Sequence, residues 1–127
     1  MKVRLKDVFN SLDALRSLAQ IKFKASLAFK LVKLLKDAEM HLKEYENVRV
    51  QKVEQYNLSP APSESDSQEL KDLYVARKNV ADMELNELLD SYVDVYDVKL
   101  SESDFEGHEI SSGHLLLLHW LMEDEKA

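Results

Sequence analysis

From Ala25 to Tyr56 the chain runs without a glycine or a proline, and its apolar residues fall on one side of a helix. Leu27, Leu31, Leu34, Ala38, Leu42, Tyr45 and Val48 advance by steps of three and four, and Val53 and Tyr56 extend the stripe less regularly. Some thirty residues of helix measure about 48 Å at a rise of 1.5 Å per residue. A chain of 127 residues cannot surround such a rod. Part of it must therefore lie against another helix or another chain.

A partner helix is present in the sequence. Ser59-Pro60-Ala61-Pro62-Ser63-Glu64-Ser65 is the one low-complexity break and reads as a flexible loop over 59–66. Asp66 or Ser67 can then cap a second helix over 66–90, in which Leu70, Leu73, Ala76, Val80 and Met83 again step by three and four. The two segments predict a long antiparallel αα-hairpin. The first spans more than the second, so the excess near 42–56 requires cover from the loop, the C-terminal helix or a second copy. Self-association into a homo-oligomer is the expectation.

The flanks carry weaker signals. Met1, Val3 and Leu5 alternate with Lys2, Arg4 and Lys6, which predicts a strand over 2–6. Val8, Leu12, Leu15 and Leu18 return to helical spacing, and Ile21-Lys22-Phe23-Lys24 interrupts as an extended linker. Tyr92 to Leu100 is β-branched and aromatic. A lone strand would leave backbone donors unpaired, so 2–6 is expected to pair with part of 93–100, with Lys2 and Arg4 near Asp94 or Asp97. Ser101 to Gly107 is an acidic loop, and Ser111 or Ser112 can cap a final helix. Leu115 to Met122 is apolar on nearly every side and predicts that this helix is buried. The fold class is mainly α with a small β component, in a single domain over 1–127.

Several functions are excluded by what the chain lacks. Two glycines and two prolines are too few for a sandwich or barrel, and Gly107 and Gly113 are too isolated for a phosphate-binding loop. Without cysteine there is no disulfide, no thiolate metal site and no cysteine nucleophile. The apolar run at 115–122 is too short to span a membrane, and the charged start Met-Lys-Val-Arg-Leu-Lys is unlike a signal peptide. A cytoplasmic protein is expected. His108, His114 and His119 are spaced by six and five, which does not place two imidazoles on one helical face, and His41 is remote. Glu84/Glu87, Asp94/Asp97 and Asp104/Glu106 read as solvated carboxylates, and Ser111, Ser112 and His114 read as a helix cap. No catalytic constellation emerges, and neither a cofactor nor a metal is called for.

Charge supplies the binding candidates. Residues 1–58 carry twelve Lys/Arg against seven Asp/Glu, a net of +5, and residues 59–127 carry five against seventeen, a net of −12. Between Arg16 and Lys36 lie Arg16, Lys22, Lys24, Lys30, Lys33 and Lys36 with no acidic residue. This stretch, with Tyr92 and Tyr96, is the candidate surface for a protein partner or a phosphorylated ligand. The competing reading is that the two halves cancel one another across exposed faces. Overall acidity and the absence of a reader motif argue against nucleic acid.

Ala25 to Lys36, Leu42 to Tyr56, Glu84-Leu-Asn-Glu-Leu-Leu-Asp90 and the ending Phe105 to Leu121 together resemble small uncharacterised proteins of phages and prophages of Gram-positive bacteria. The likeness covers nearly the whole chain, in order and in spacing. It implies a viral accessory or virion-assembly role inside the bacterial host and supplies no active-site residues. Where those proteins often carry an acidic-glycine turn after the long helix, this chain has Ser59 to Ser65. The expected function is non-enzymatic protein binding, in particle assembly or in blocking a host factor. The alternative is a protein that sequesters a nucleotide signal.

Overall fold

The computed structural model describes residues 1–122. In chain order its elements are strand β1 (Lys2–Arg4), helices α1 (Leu5–Asn10), α2 (Leu12–Ala19), α3 (Ala25–Gln55) and α4 (Gln68–Asp90), strand β2 (Tyr92–Asp94) and helix α5 (Ser112–Leu117). Short 3-10 turns occupy Glu102–Phe105 and His119–Leu121. The architecture is mainly α, with one two-stranded antiparallel sheet and a long antiparallel helix pair. Two compact units form: Met1–Leu42 together with the chain from Tyr92 on, and Lys43–Ser91.

The first unit holds the core. Leu12, Leu15 and Leu18 of α2, Leu31, Leu34 and Ala38 of α3, and Val95, Val98, Leu100, Leu118 and Leu121 are all buried in one cluster. Between α1 and α2 the chain breaks at Ser11, which is fully buried. Its hydroxyl donates to the carbonyls of Asp7 at 2.7 Å and Val8 at 3.0 Å, so the hydroxyl is satisfied and the continuous helical pattern divides in two. The sheet pairs Lys2 with Asp94, Val3 with Val93 and Arg4 with Tyr92. Lys2 thus opposes Asp94 as its charge predicts. The strands are shorter than the alternation suggests, because Leu5 turns into α1 and the chain beyond Val95 leaves the ladder. Exchange of backbone bonds between Met1 and Val95, at 2.8 and 2.9 Å, adds one further pair.

The C-terminal segment corrects the expectation of a buried helix. Helix α5 has only six residues and none of them is buried, with Leu116 75% exposed. Burial falls instead on Leu118 and Leu121, past the end of α5. Leu100 N–H donates to the Leu121 carbonyl at 2.7 Å, a tie that fixes the segment in a tight turn rather than a longer helix.

In the second unit, the end of α3 is set by Asn57, whose φ of 52° is left-handed. Leu58 N–H reaches the Val53 carbonyl at 2.9 Å and Asn57 N–H the Glu54 carbonyl at 3.3 Å. These two bonds close a Schellman motif with Val53 and Leu58 as its apolar pair. Ser67 caps α4, its hydroxyl accepting from Leu70 N–H at 3.3 Å. Within the stretch 42–56, Lys52 and Tyr56 meet α4 at Glu84 and Arg77, Tyr45, Val48 and Val53 are half-buried, and Leu42 packs on the first-unit core. Among the described residues Ala81 is the one buried side chain of this unit.

The face that α4 turns inward is not the stripe that the spacing singles out. Tyr74, Ala81, Leu85 and Leu88 share the inward side, while Leu70, Leu73, Ala76, Val80 and Met83 are all exposed. Both stripes satisfy helical periodicity. Ala81 is buried on the inward side, and Glu84, three residues on, meets Lys52 and Tyr56 at the end of α3.

Candidate protein-binding surfaces

That cluster joins the two helices of the second unit. Tyr56 Oη donates to Glu84 Oε1 at 2.8 Å, and Lys52 Nζ meets Glu84 Oε2 at 2.9 Å. Arg77 Nε donates to the Tyr56 carbonyl at 2.9 Å, satisfying an acceptor at the end of α3. Lys52 and Tyr56 hold the Glu84 carboxyl below its ordinary range, in that order of strength. The bond to Glu84 is also the main reason that the Tyr56 hydroxyl titrates above its ordinary value. General acid–base work at neutral pH needs values moved toward 7. Both groups move away from it. The cluster is a clamp.

The outer face of α4 has a different character. Leu73, Ala76, Val80 and Met83 recur at steps of three, four and three, and Met83 is 64% exposed. Glu69 and Glu87 lie on the same line at the two ends, and Asp72 flanks it, all exposed. The basic residues of α4 are engaged elsewhere: Lys71 with the Glu64 carbonyl at 3.0 Å, Lys78 with Asp82 at 2.9 Å and Arg77 with Tyr56. The result is an apolar seam bordered by carboxylates. Sequence spacing identifies its residues but assigns them to the interior.

In the first unit the basic candidates do not converge on one point. Arg16 is partly neutralised by Asp13 at 3.6 Å and Glu39 at 3.4 Å. Lys22 and Lys24 line a cavity of about 540 Å³ together with Phe23, Ser26, Asp104 and His108, and Glu106 adds a second carboxylate. His108 packs edge-on against Phe23 with ring centroids 5.0 Å apart. Lys30, Lys33 and Lys36 are exposed along α3. The Lys33 ammonium lies 4.6 Å from the Phe29 ring centre and 5.1 Å from that of Tyr96, a cation–π arrangement. Tyr96 N–H is held by Asp37 Oδ2 at 2.9 Å. Tyr92 is exposed across the sheet, where its hydroxyl accepts from Arg4 Nε at 3.3 Å.

The chain matches no family model, no curated protein and no solved structure. Among the described residues no three His, Asp or Glu side chains gather to hold a metal ion, and no helix is long and apolar enough to cross a membrane. His41 Nε2 donates to the Asp94 carbonyl at 2.7 Å across the first unit, and His119 Nδ1 donates locally to the Leu116 carbonyl at 3.1 Å.

Beyond the charged residues, the site includes side chains that sequence reasoning passes over. Phe29, Val32 and Met40 are exposed on the side of α3 opposite its buried stripe. They alternate with Lys33 and Lys36. The signal for them is their phase, about half a turn from Leu31, Leu34 and Ala38.

Proposed function

We propose that this chain is a non-enzymatic protein that works by binding protein, through the outer face of α4. The observation that carries the reading is the exposed seam of Leu73, Val80 and Met83 on a helix whose other side is already packed. Exposed apolar residues are ordinary singly, and informative when they line up on one face. Polar groups that could do chemistry in this unit are used as the clamp between Lys52, Tyr56 and Glu84. The likeness to small phage and prophage proteins supports an accessory role in the cytoplasm of an infected bacterium, in virion assembly or in inhibiting a host factor.

A second reading, binding of a phosphorylated small molecule, draws on the cavity beside Lys22 and Lys24. Its volume lies in the range of ligand sites. Asp104 and Glu106 on its wall oppose a polyanion, which ranks it below protein binding.

A photo-crosslinking residue at Val80, with Glu54 as an exposed control position, tests the proposal in cells that make the protein. Discrete crosslinked protein species from position 80 and none from position 54 are expected. No adduct at position 80, or the same adducts at both positions, would refute the reading. A thermal shift with nucleotides that disappears in Lys22→Ala/Lys24→Ala, in a chain with no adducts at Val80, would establish the ligand reading instead.

A further inference from the structure

The cavity of about 540 Å³ in the first unit has two walls of opposite charge. One wall is the segment entering α3, with Lys22, Lys24 and, in the first turn of the helix, Ser26 and Leu27. The other is the turn at 103–108, with Asp104 and Glu106. Phe23 crosses between them: its ring centre lies 6.2 Å from that of Phe105 and 5.0 Å from that of His108, edge-on to both. The walls are packed together through these rings, yet their charged groups do not close on one another. Among the described residues no ion pair joins Lys22 or Lys24 to Asp104 or Glu106. We infer that the cavity takes a small zwitterion, an apolar amino acid or a short peptide, with its carboxylate toward the lysines and its ammonium toward Asp104 and Glu106.

Both walls are fixed by local structure. Ser101 N–H donates to Asp104 Oδ2 at 2.8 Å as part of a capping box, and Gly107, at a φ of 79°, turns the chain between Glu106 and His108. Opposite them, the first turn of α3 contains no acidic residue, and its N–H groups carry the positive end of a helix of 31 residues. That end and the two ammonium groups favour an anionic group, while the acidic wall specifies the rest of the ligand. A polyanion is repelled by Asp104 and Glu106, and a polycation by Lys22 and Lys24, so each wall rejects what the other attracts. A molecule with one charge of each sign is opposed by neither. Between the walls Phe23, Leu27 and His108 offer apolar and aromatic surface to the body of the ligand. The volume suits an organic molecule rather than a bare ion. Lys22, Lys24 and Glu106 are exposed, so binding is weak, and its selectivity comes from the placement of charge.

This inference does not depend on the α4 reading, and amide-resolved NMR on the full chain tests it. Phenylalanine and the dipeptide phenylalanyl-leucine are titrated beside N-acetyl-phenylalanine, which lacks the ammonium, and phenylalaninamide, which lacks the carboxylate. Saturable shifts at the Phe23, Ser26 and His108 amides are expected with the first two, and the tighter of them tells a free amino acid from a peptide. Each capped form should bind roughly tenfold more weakly, the loss of one charge-assisted hydrogen bond. Glu106→Gln should weaken phenylalanine by a similar factor and leave N-acetyl-phenylalanine unchanged. Lys24→Gln should weaken phenylalanine and leave phenylalaninamide unchanged. Both positions are exposed, and an unchanged melting temperature checks that the fold is kept. Equal binding of the zwitterion and its capped forms, or no saturable shift at these amides, would overturn the inference. Adenosine monophosphate that binds tighter than phenylalanine, and tighter still in Glu106→Gln, would replace the zwitterion with a phosphorylated ligand. None of these titrations involves Val80, so failure here is distinct from failure of the crosslinking test.

Discussion

Truncating two large side chains five residues apart on α3 should have very different consequences. Leu34 is fully buried in the first-unit core, packed among Leu31, Ala38 and their neighbours, whereas Phe29 is 62% exposed. Leu34→Ala removes three buried carbon atoms and leaves a cavity, a change that costs roughly 2.7–5 kcal/mol in well-packed cores. That is a large fraction of the roughly 5–15 kcal/mol that holds a domain folded. For a unit of this size each kcal/mol moves the midpoint by about 4–8 °C, so a drop of more than about 10 °C is expected. Phe29→Ala removes a larger side chain that has little burial to lose and leaves no cavity, so its effect should stay within about 1 kcal/mol. The single tryptophan, Trp120, packs against the same core and reports its unfolding by fluorescence in urea or on heating. Measurements are made at low micromolar concentration, below the range of any self-association. Equal destabilisation by the two substitutions would show that Phe29 is packed within the chain and would refute the assignment of an outward α3 face.

Three further substitutions or conditions probe the helix pair. Asn57→Gly should be neutral or raise stability by a few tenths of a kcal/mol, and Asn57→Val should lower it by about 1–2 kcal/mol, because the left-handed backbone at 57 penalises a branched side chain; denaturant midpoints decide. Ser67→Ala should cost about 1 kcal/mol and speed amide exchange in the first turn of α4, an effect that Ser67→Asp should not produce. Glu84, held below its ordinary 4.5, contributes stability that is complete above that value and is lost as pH falls through its lower folded value. Tyr56, held above its ordinary 10.0, contributes stability that is present below that value and is lost as pH rises through its higher folded value. Exchange protection near Ala81 should accordingly be flat at neutral pH and fall at both extremes, and Tyr56→Phe should remove the alkaline fall.

Elements that depend on periodicity alone were legible. The stripe from Leu27 to Val48 fixes which side of α3 goes inward, and Leu31, Leu34 and Ala38 are buried accordingly. Ser67 and Ser111 cap the helices they precede, since a hydroxyl accepting from the third N–H on is a local interaction. The facing of α4 was not legible, because Tyr74, Ala81, Leu85 and Leu88 form a stripe as regular as Leu73, Ala76, Val80 and Met83. What tells them apart in the structure is contact with Lys52 and Tyr56, about thirty residues away in the chain. The exaggerated C-terminal helix has a similar cause: the bond from Leu100 that holds Leu121 in a tight turn is non-local. Of the basic candidates, composition found the lysines of α3 but not the Phe29, Val32 and Met40 side chains among them. It also could not show that Glu39, three positions beyond the stretch, pairs with Arg16.

The register of the small sheet has a consequence for how the chain reaches this structure. Val3 pairs with Val93, so β1 does not meet β2 until about ninety more residues have been made. During synthesis Val3 must wait for Val93, whereas Leu12, Leu15 and Leu18 meet Leu31, Leu34 and Ala38 of α3 soon after they are made. Closing a flexible loop of that length costs about 4 kcal/mol by the logarithmic rule, and more time than a local contact needs. The hairpin that lies between the two strands needs no such closure, because α4 folds back along the helix just before it. A chain that has already doubled back there has fewer loose residues to search with. On this account the marginal, nearly coreless pair at 43–91 matters most during synthesis: it shortens the path by which Val3 and Val93 find each other.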